Sequence, residues 1–191
     1  FSPSGDFGFK VGWEDFHVKP SIGTADERIS GHIHNVYAAV RRRVNTLDRK
    51  FLSQSGIKFD VDAYVGFMPF YNLKSGNALD TLKNDGLNDF NFLARLKARL
   101  EMHQKITDRL SMCEVLCAAM SYGDRTFVHR TALGGTSQFL PSHQEFYGLL
   151  TAHRYVSTLG TVRLSAQYNL FADLNLLLHF NSAVTFKGID R

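Results

Sequence analysis

His32-Ile33-His34 sets two imidazoles two residues apart. On a strand such positions share a face and can ligate one metal ion together; on a helix they diverge by about 200° and cannot. The surrounding pattern reads as helix and no third ligand is near, so both are read as surface or cap histidines. Cys113 and Cys117 make a C-x-x-x-C pair. On a helix they sit one turn apart, where they can bind a soft metal or oxidise. The pair is neither a disulfide framework nor a complete zinc site, and a free buried Cys packs as a small hydrophobe. Both are expected to be buried and reduced. Ser142, His143 and Glu145 superficially offer nucleophile, base and orienter. Adjacent side chains at a helix start do not converge that way, and a Ser142-x-x-Glu145 capping box explains two of them. Asp60 and Asp62 share one face of a strand. Paired carboxylates can do acid–base work or hold a cation, and they are also what a solvated strand face looks like. Gly134-Gly135-Thr136-Ser137 lacks the Lys-Ser/Thr ending of a phosphate loop. No catalytic residue, metal ligand or cofactor is assigned. Asp124, His129, His143 and His153 remain a scattered set from which a small hydrolase site can be drawn, because triads are recognised by geometry.

The basic residues form the other candidate site. Arg41-Arg42-Arg43, with Arg49 and Lys50, is the densest cluster, interrupted by Asp48. Arg95 and Arg99 lie further on, partly offset by Glu101, Asp108 and Glu114. A solvated face with i,i+4 pairs accounts for such a distribution, and contact with an anion or nucleic acid is the functional alternative. The whole chain is only mildly basic: 22 Lys+Arg against 18 Asp+Glu give +4, with a pI near 9.1. A nucleic-acid role is permitted and not demanded.

These residues must be positioned by elements, which the apolar spacing predicts. Phe7, Phe9 and Val11 alternate with Gly and Lys, so residues 7–18 read as one or two strands within an N-terminal arm (1–20). Ile29, Ile33, Val36, Val40, Val44, Leu47 and Phe51 recur at three and four residues, predicting a helix that starts near a Thr24–Glu27 capping box or at Ser30 and stops at Gly56. Residues 57–67 alternate cleanly and predict a strand with one buried and one wet face, ended by Pro69. Irregular loops are expected at 68–86 and 132–141. Leu93, Leu96, Leu100, His103, Ile106, Leu110, Cys113, Cys117 and Met120 trace a helical stripe, predicting a helix over 87–122 ended by Gly123. A short helix is expected over 143–154. A C-terminal β-meander follows, with turns near 171–173 and 181–183. The fold class expected is therefore α+β in a single domain, 1–191: a mostly antiparallel sheet with two long helices and one short helix on one face.

The longest helix would measure about 50 Å, against a radius of gyration of about 16 Å for a globule of this size. Part of its stripe is expected to meet another chain. Phe90, Phe92, Leu93, Leu96, Leu110, Cys113, Cys117 and Met120 are the candidate assembly interface. Sixteen Phe and a single Trp add apolar area that needs a core or a partner. The longest apolar run is about three residues, far short of the roughly 18 a membrane helix needs, so no membrane span is expected. The chain starts at Phe1. That start, the Phe excess, the overlong helix and the lack of a catalytic signature together favour a non-enzymatic structural subunit of a larger assembly, such as a proteolytically matured virion component. Its partners would be other protein subunits, as homo- or hetero-oligomers, with nucleic acid as the alternative. Two cysteines favour a reducing compartment or a virion over a secreted disulfide-rich setting.

Overall fold

Strand pairing organises every described part of this chain. The computed structural model describes residues 4–18, 30–49, 52–74, 92–123, 130–136, 143–150, 154–171 and 174–190. Among them are β1 (Ser4–Val18), β2 (Ser30–Asn45), β3 (Gly56–Lys74), β4 (Phe92–Lys105), β5 (Leu110–Tyr122), β6 (Thr131–Leu133), β7 (His143–Gln144), β8 (Arg154–Phe171) and β9 (Leu174–Asp190), and no helix. The expected α+β class is corrected to all-β. Both long helices are replaced by strands: 30–45 is β2, and 92–122 is the β4–β5 hairpin. The short helix at 143–154 is replaced by β7, a turn and the start of β8.

The reason lies in spacing. A helical stripe stepping by three residues changes strand face at every step. The apparent stripe through Leu93, Leu96 and Leu100 therefore mixes the two faces of a strand. Read at period two, β4 runs Phe92, Ala94, Leu96, Ala98, Leu100, Met102 on one face and Leu93, Arg95, Lys97, Arg99, Glu101, His103 on the other. Alanines at outward positions had diluted that alternation.

Seven long strands form an antiparallel meander in the order β1-β2-β3-β4-β5-β8-β9. Short β6 extends the β5 row along β8, through Thr131↔Val156 to Leu133↔Arg154, and β7 pairs parallel to β6. Among the described residues, β1 pairs only with β2 and β9 only with β8. The expected strands at 7–18 and 57–67 are present and longer: β3 continues past Pro69 to Lys74, so part of the expected 68–86 loop is strand. Of the turn expected near 171–173, residues 172–173 lie outside the described residues, between β8 and β9, whereas β9 runs straight through 181–183, where a second turn was expected. The Thr24–Glu27 box, Phe90, Lys50, Asp124, His129, Ser142 and His153 lie outside the described residues.

Connections alternate between the two ends of the meander. At one end they are 46–55, 106–109 and 172–173; at the other they are 19–29, 75–91 and 123–153. The inner face is filled by matching large to small across strands. Tyr37 pairs with Gly12 on one side and Gly66 on the other, and a Cβ at Gly12 would come 2.8 Å from the Tyr37 hydroxyl. At the end with the longer connections lies a small core of Ala119, Leu133, Val156 and Leu159, with Phe146, Leu149 and Ala183 packed on it.

Candidate functional site

The two faces of the sheet have opposite chemistry, and register sorts it strand by strand. One row reads Phe9, Val40, Ala63, Leu96, Met120, Thr158, Phe186; another reads Phe59, Leu100, Leu116, Val162, Ser182. These side chains face outward, and all but Ala63 and Leu100, which are half-buried, are left exposed. Phe9 is 62% accessible, Phe67 54%, Leu178 63% and Phe186 62%. Outward polar exceptions include Arg42, Gln104 and Glu114, within a few residues of the shorter connections, Asp15 and His34 toward the other end, and the small hydroxyls of Thr158 and Ser182. Trp13 and Tyr122 stand on the same face toward the end with the longer connections, and Tyr168 toward the other. The Trp13 ring lies 5.5 Å from that of His34, whose Nδ1 is 3.5 Å from Asp15 Oδ1.

The opposite face carries charge, and neighbouring strands neutralise it. Arg43 Nε donates to Asp60 Oδ1 at 2.6 Å, with Arg41 Nη2 3.9 Å from the same oxygen. Arg95 Nη2 donates to Asp62 Oδ1 at 2.9 Å, and its guanidinium sits 5.2 Å from the Tyr64 ring centre. Tyr64 Oη donates to Glu14 Oε2 at 2.7 Å; Asn35 Nδ2 also donates to Glu14, at 3.2 Å, and to the Tyr64 hydroxyl. Residues 130–136 and 143–149 cover part of this face. Lys97 Nζ donates to the His143 carbonyl at 2.8 Å, Arg163 Nη1 to Glu145 at 2.9 Å, and Asn181 Nδ2 to the Tyr147 carbonyl at 3.2 Å. The His143 side chain is completely buried and contacts the Gly134 carbonyl. Gly134 (φ 129°) and Gly135 (φ 77°) adopt backbone that L side chains rarely take, which lets this segment double back.

A third feature sits near the shorter connections. Glu101, His103 and Cys113 bring one ligand-type atom each within 4.8 Å of one another, alone among the described residues as a group of three such donors. His103 and Cys113 are register partners across the β4–β5 hairpin. His103 Nε2 lies 2.9 Å from Glu101 Oε1 and 3.4 Å from Cys113 Sγ, and Nδ1 lies 2.8 Å from the Ser53 carbonyl. A carbonyl oxygen only accepts, so the proton of that bond is on Nδ1. Arg99 Nη2 holds the other carboxylate oxygen of Glu101 at 3.1 Å.

The connection that supplies Ser53 is itself tied down. Asp48 Oδ1 accepts from Ser53 Oγ and from the amides of Gln54 (3.0 Å) and Ser55 (3.2 Å). Against a burial penalty, these bonds hold the Asp48 carboxyl at about 2, below the usual carboxylate range.

The residues singled out in the sequence are distributed across these features. Arg41, Arg43, Arg95 and Arg99 are on the inner face beside carboxylates, Arg42 is outward, and Arg49 is in the 46–55 connection. Phe92, Leu96 and Met120 are outward, whereas Leu93, Cys113 and Cys117 are inward, and Leu110 opens β5. Cys117 is buried and Cys113 half-buried, and neither is bonded to the other. His143 and Glu145 both belong to the inner-face segment but diverge to different partners. The Glu101–His103–Cys113 cluster was missed because a helix reading separates residues ten apart. The signal that finds it is the polar Thr107-Asp108-Arg109 turn, about which His103 and Cys113 reflect onto one another.

No helix long and apolar enough to cross a membrane is present among the described residues. Comparison with protein-family models, curated proteins and solved structures finds no match to this chain.

Proposed function

We propose that the chain forms a membrane-embedded β-sheet wall, with its apolar face against acyl chains and its charged face turned to an enclosed interior. The observation that carries this reading is the sorting of side chains by parity: apolar side chains are left exposed on one face while Arg, Lys, Asp and Glu pair on the other. A sheet in water places its polar face outward. Exposed apolar area spread over seven long strands far exceeds the patches usual on soluble monomers. A protein partner would have to match that whole surface in shape, whereas a bilayer needs only its apolarity.

Three further observations support lipid as the covering phase. Outward apolar positions on β4 run from Phe92 to Met102, about 33 Å at ~3.3 Å per residue, which at a tilt of roughly 40° covers about 25 Å, the apolar band of membrane β-barrels. Connections are shorter at one end than at the other, as in such barrels. Trp13, Tyr122 and Tyr168 stand toward the ends of the band, where amphipathic rings favour the membrane–water interface. The criterion of about 18 consecutive apolar residues tests helices alone; a strand crosses with alternation over about 9–11 residues. Residues 143–147 lie on the charged face and are bonded to β4, β8 and β9, so the interior is occupied at that level and the wall acts as a closed scaffold more than an open pore.

The single Trp provides the test. Trp13 is 60% exposed on the outer face. In phosphatidylcholine vesicles, brominated acyl chains are expected to quench its fluorescence strongly, while aqueous iodide has little effect. A chain that stays dispersed in water, with Trp13 open to iodide and untouched by brominated lipid, would overturn the proposal.

A further inference from the structure

The inner-face cluster near the 106–109 turn has the form of a metal site. We infer that Glu101, His103 and Cys113 bind a zinc-type divalent ion through Glu101 Oε1, His103 Nε2 and Cys113 Sγ, leaving a fourth tetrahedral position open.

The argument is geometric. With typical bonds of about 2.0–2.1 Å to nitrogen and oxygen and about 2.3 Å to sulfur, tetrahedral angles place nitrogen about 3.3 Å from oxygen and about 3.6 Å from sulfur. The separations here are 2.9 Å and 3.4 Å. The two contacts to Nε2 therefore need to open by only a few tenths of an ångström to admit the ion, and all three donor atoms already lie within 4.8 Å of one another. The ligand types suit zinc: one thiolate, one imidazole and one carboxylate, a three-ligand set with an open position.

The surroundings are also those of a held ligand set. Nδ1–H is used by the Ser53 carbonyl, which fixes the ring and aims Nε2 at the cluster; Nε2–H donates to Glu101 there, and an ion would bind by displacing that proton. Arg99 holds the far oxygen of Glu101, leaving Oε1 aimed at Nε2. Both Glu101 and His103 side chains are only about one-eighth to one-seventh exposed, at 15% and 12%. An ion-pair cluster of Arg99, Glu101 and His103 would use most of these contacts. It would not need a thiol on the same imidazole nitrogen, 3.4 Å away.

The test uses the untagged full chain, folded in detergent micelles and stripped with chelator, titrated with Co²⁺ and then Zn²⁺ alone. Binding at this site is expected to give the intense visible bands of tetrahedral cobalt and a near-ultraviolet thiolate-to-cobalt band, both bleached by Zn²⁺. Cys113→Ser should remove the thiolate band, and Glu101→Gln should weaken binding about 10–100-fold. Cys117→Ser, which alters a thiol on the same face outside the cluster, should leave spectrum and affinity unchanged. In the unaltered chain, Zn²⁺ should slow thiol labelling of Cys113 and not of Cys117; this readout needs no variant to fold. Absence of the thiolate band, its survival in Cys113→Ser, or equal protection of both thiols would each overturn the assignment.

Discussion

Replacing Leu96 by arginine puts a guanidinium on the outer face of β4, near the middle of the apolar band. Leu96 is 44% exposed, and its register neighbours are Ala63 and Met120, so no described carboxylate stands beside it on that face. In water, a substitution at so exposed a position changes stability by no more than about 0.5 kcal/mol. In a bilayer the outcome depends on depth: about 2–4 kcal/mol at the midplane, falling to about 0–1 near the interfaces. Leu96 lies about 13 Å along the strand from Phe92 and about 20 Å from Met102, placing it well inside the band. Leu174 begins β9, at the end of the sheet where β8 ends, and is 52% exposed, so it serves as the interfacial comparison. Urea titration of the chain refolded into phosphatidylcholine vesicles should show Leu96→Arg destabilised by about 2–4 kcal/mol and Leu174→Arg by no more than about 1. Equal costs at the two positions, or a Leu96→Arg cost within about 0.5 kcal/mol, would refute the reasoning from depth.

Other perturbations test the fold and the connections. Asp48→Asn should cost about 1–2 kcal/mol near neutral pH through loss of charge-assisted bonds to Ser53, Gln54 and Ser55. Because the folded carboxyl is held at about 2, below its unfolded value of about 3.9, its contribution is present above that value and is lost as pH falls toward 2. The difference in thermal midpoint between the native chain and Asp48→Asn should therefore shrink across that window. Gly123→Ala should destabilise by at least about 2 kcal/mol in the same urea titration, since Gly123 has φ 79° and a Cβ there would lie 1.9 Å from the Phe92 carbonyl oxygen. In metal-free protein, Cys113 should react with a thiol reagent faster than Cys117, because it is half-buried where Cys117 is buried; equal rates would contradict the inner-face burial described.

How much of this was legible depended on whether apolar residues stood alone on their parity. In β3, Ile57, Phe59, Val61, Val65 and Phe67 leave little room for another period, and the strand was read correctly. In β8 and β9 the alternation was read over 162–170 and 174–180, but the turn expected near 181–183 is strand. In β2 and β4 the outward set includes Ala38, Ala94 and Ala98, which score weakly as apolar, while inward Leu93 completes a false three-and-four spacing with Leu96 and Leu100. Arg95, Lys97, Arg99 and Glu101 then read as the solvated side of a helix. The run of charge at alternate positions was itself the period-two signal. The second obstacle was an assumption about solvent: an apolar face was taken to point into a core. On β3 the parity was right, yet Ile57, Phe59 and Phe67 are the exposed residues and Tyr64 the buried one.

Once the hairpin is fixed, the site residues follow from the same arithmetic. Antiparallel pairing about the 106–109 turn makes His103 oppose Cys113, Glu101 oppose Val115 and Arg99 oppose Cys117. All three pairs face inward, so imidazole and thiol meet directly, and Glu101 reaches the same imidazole from two positions along its own strand. A one-residue slip would move all of them to the outer face and bring Leu100, Met102 and Leu116 inward. The charged inner face therefore depends on the apolar outer face: the same register that exposes Leu96 and Leu116 to the proposed lipid phase holds the Glu101–His103–Cys113 cluster together. Register also explains why Arg95 and Arg43 need not meet an external anion to be accommodated, since it places Asp62 and Asp60 within reach of them, and for Arg99 the shared parity of β4 does the same with Glu101.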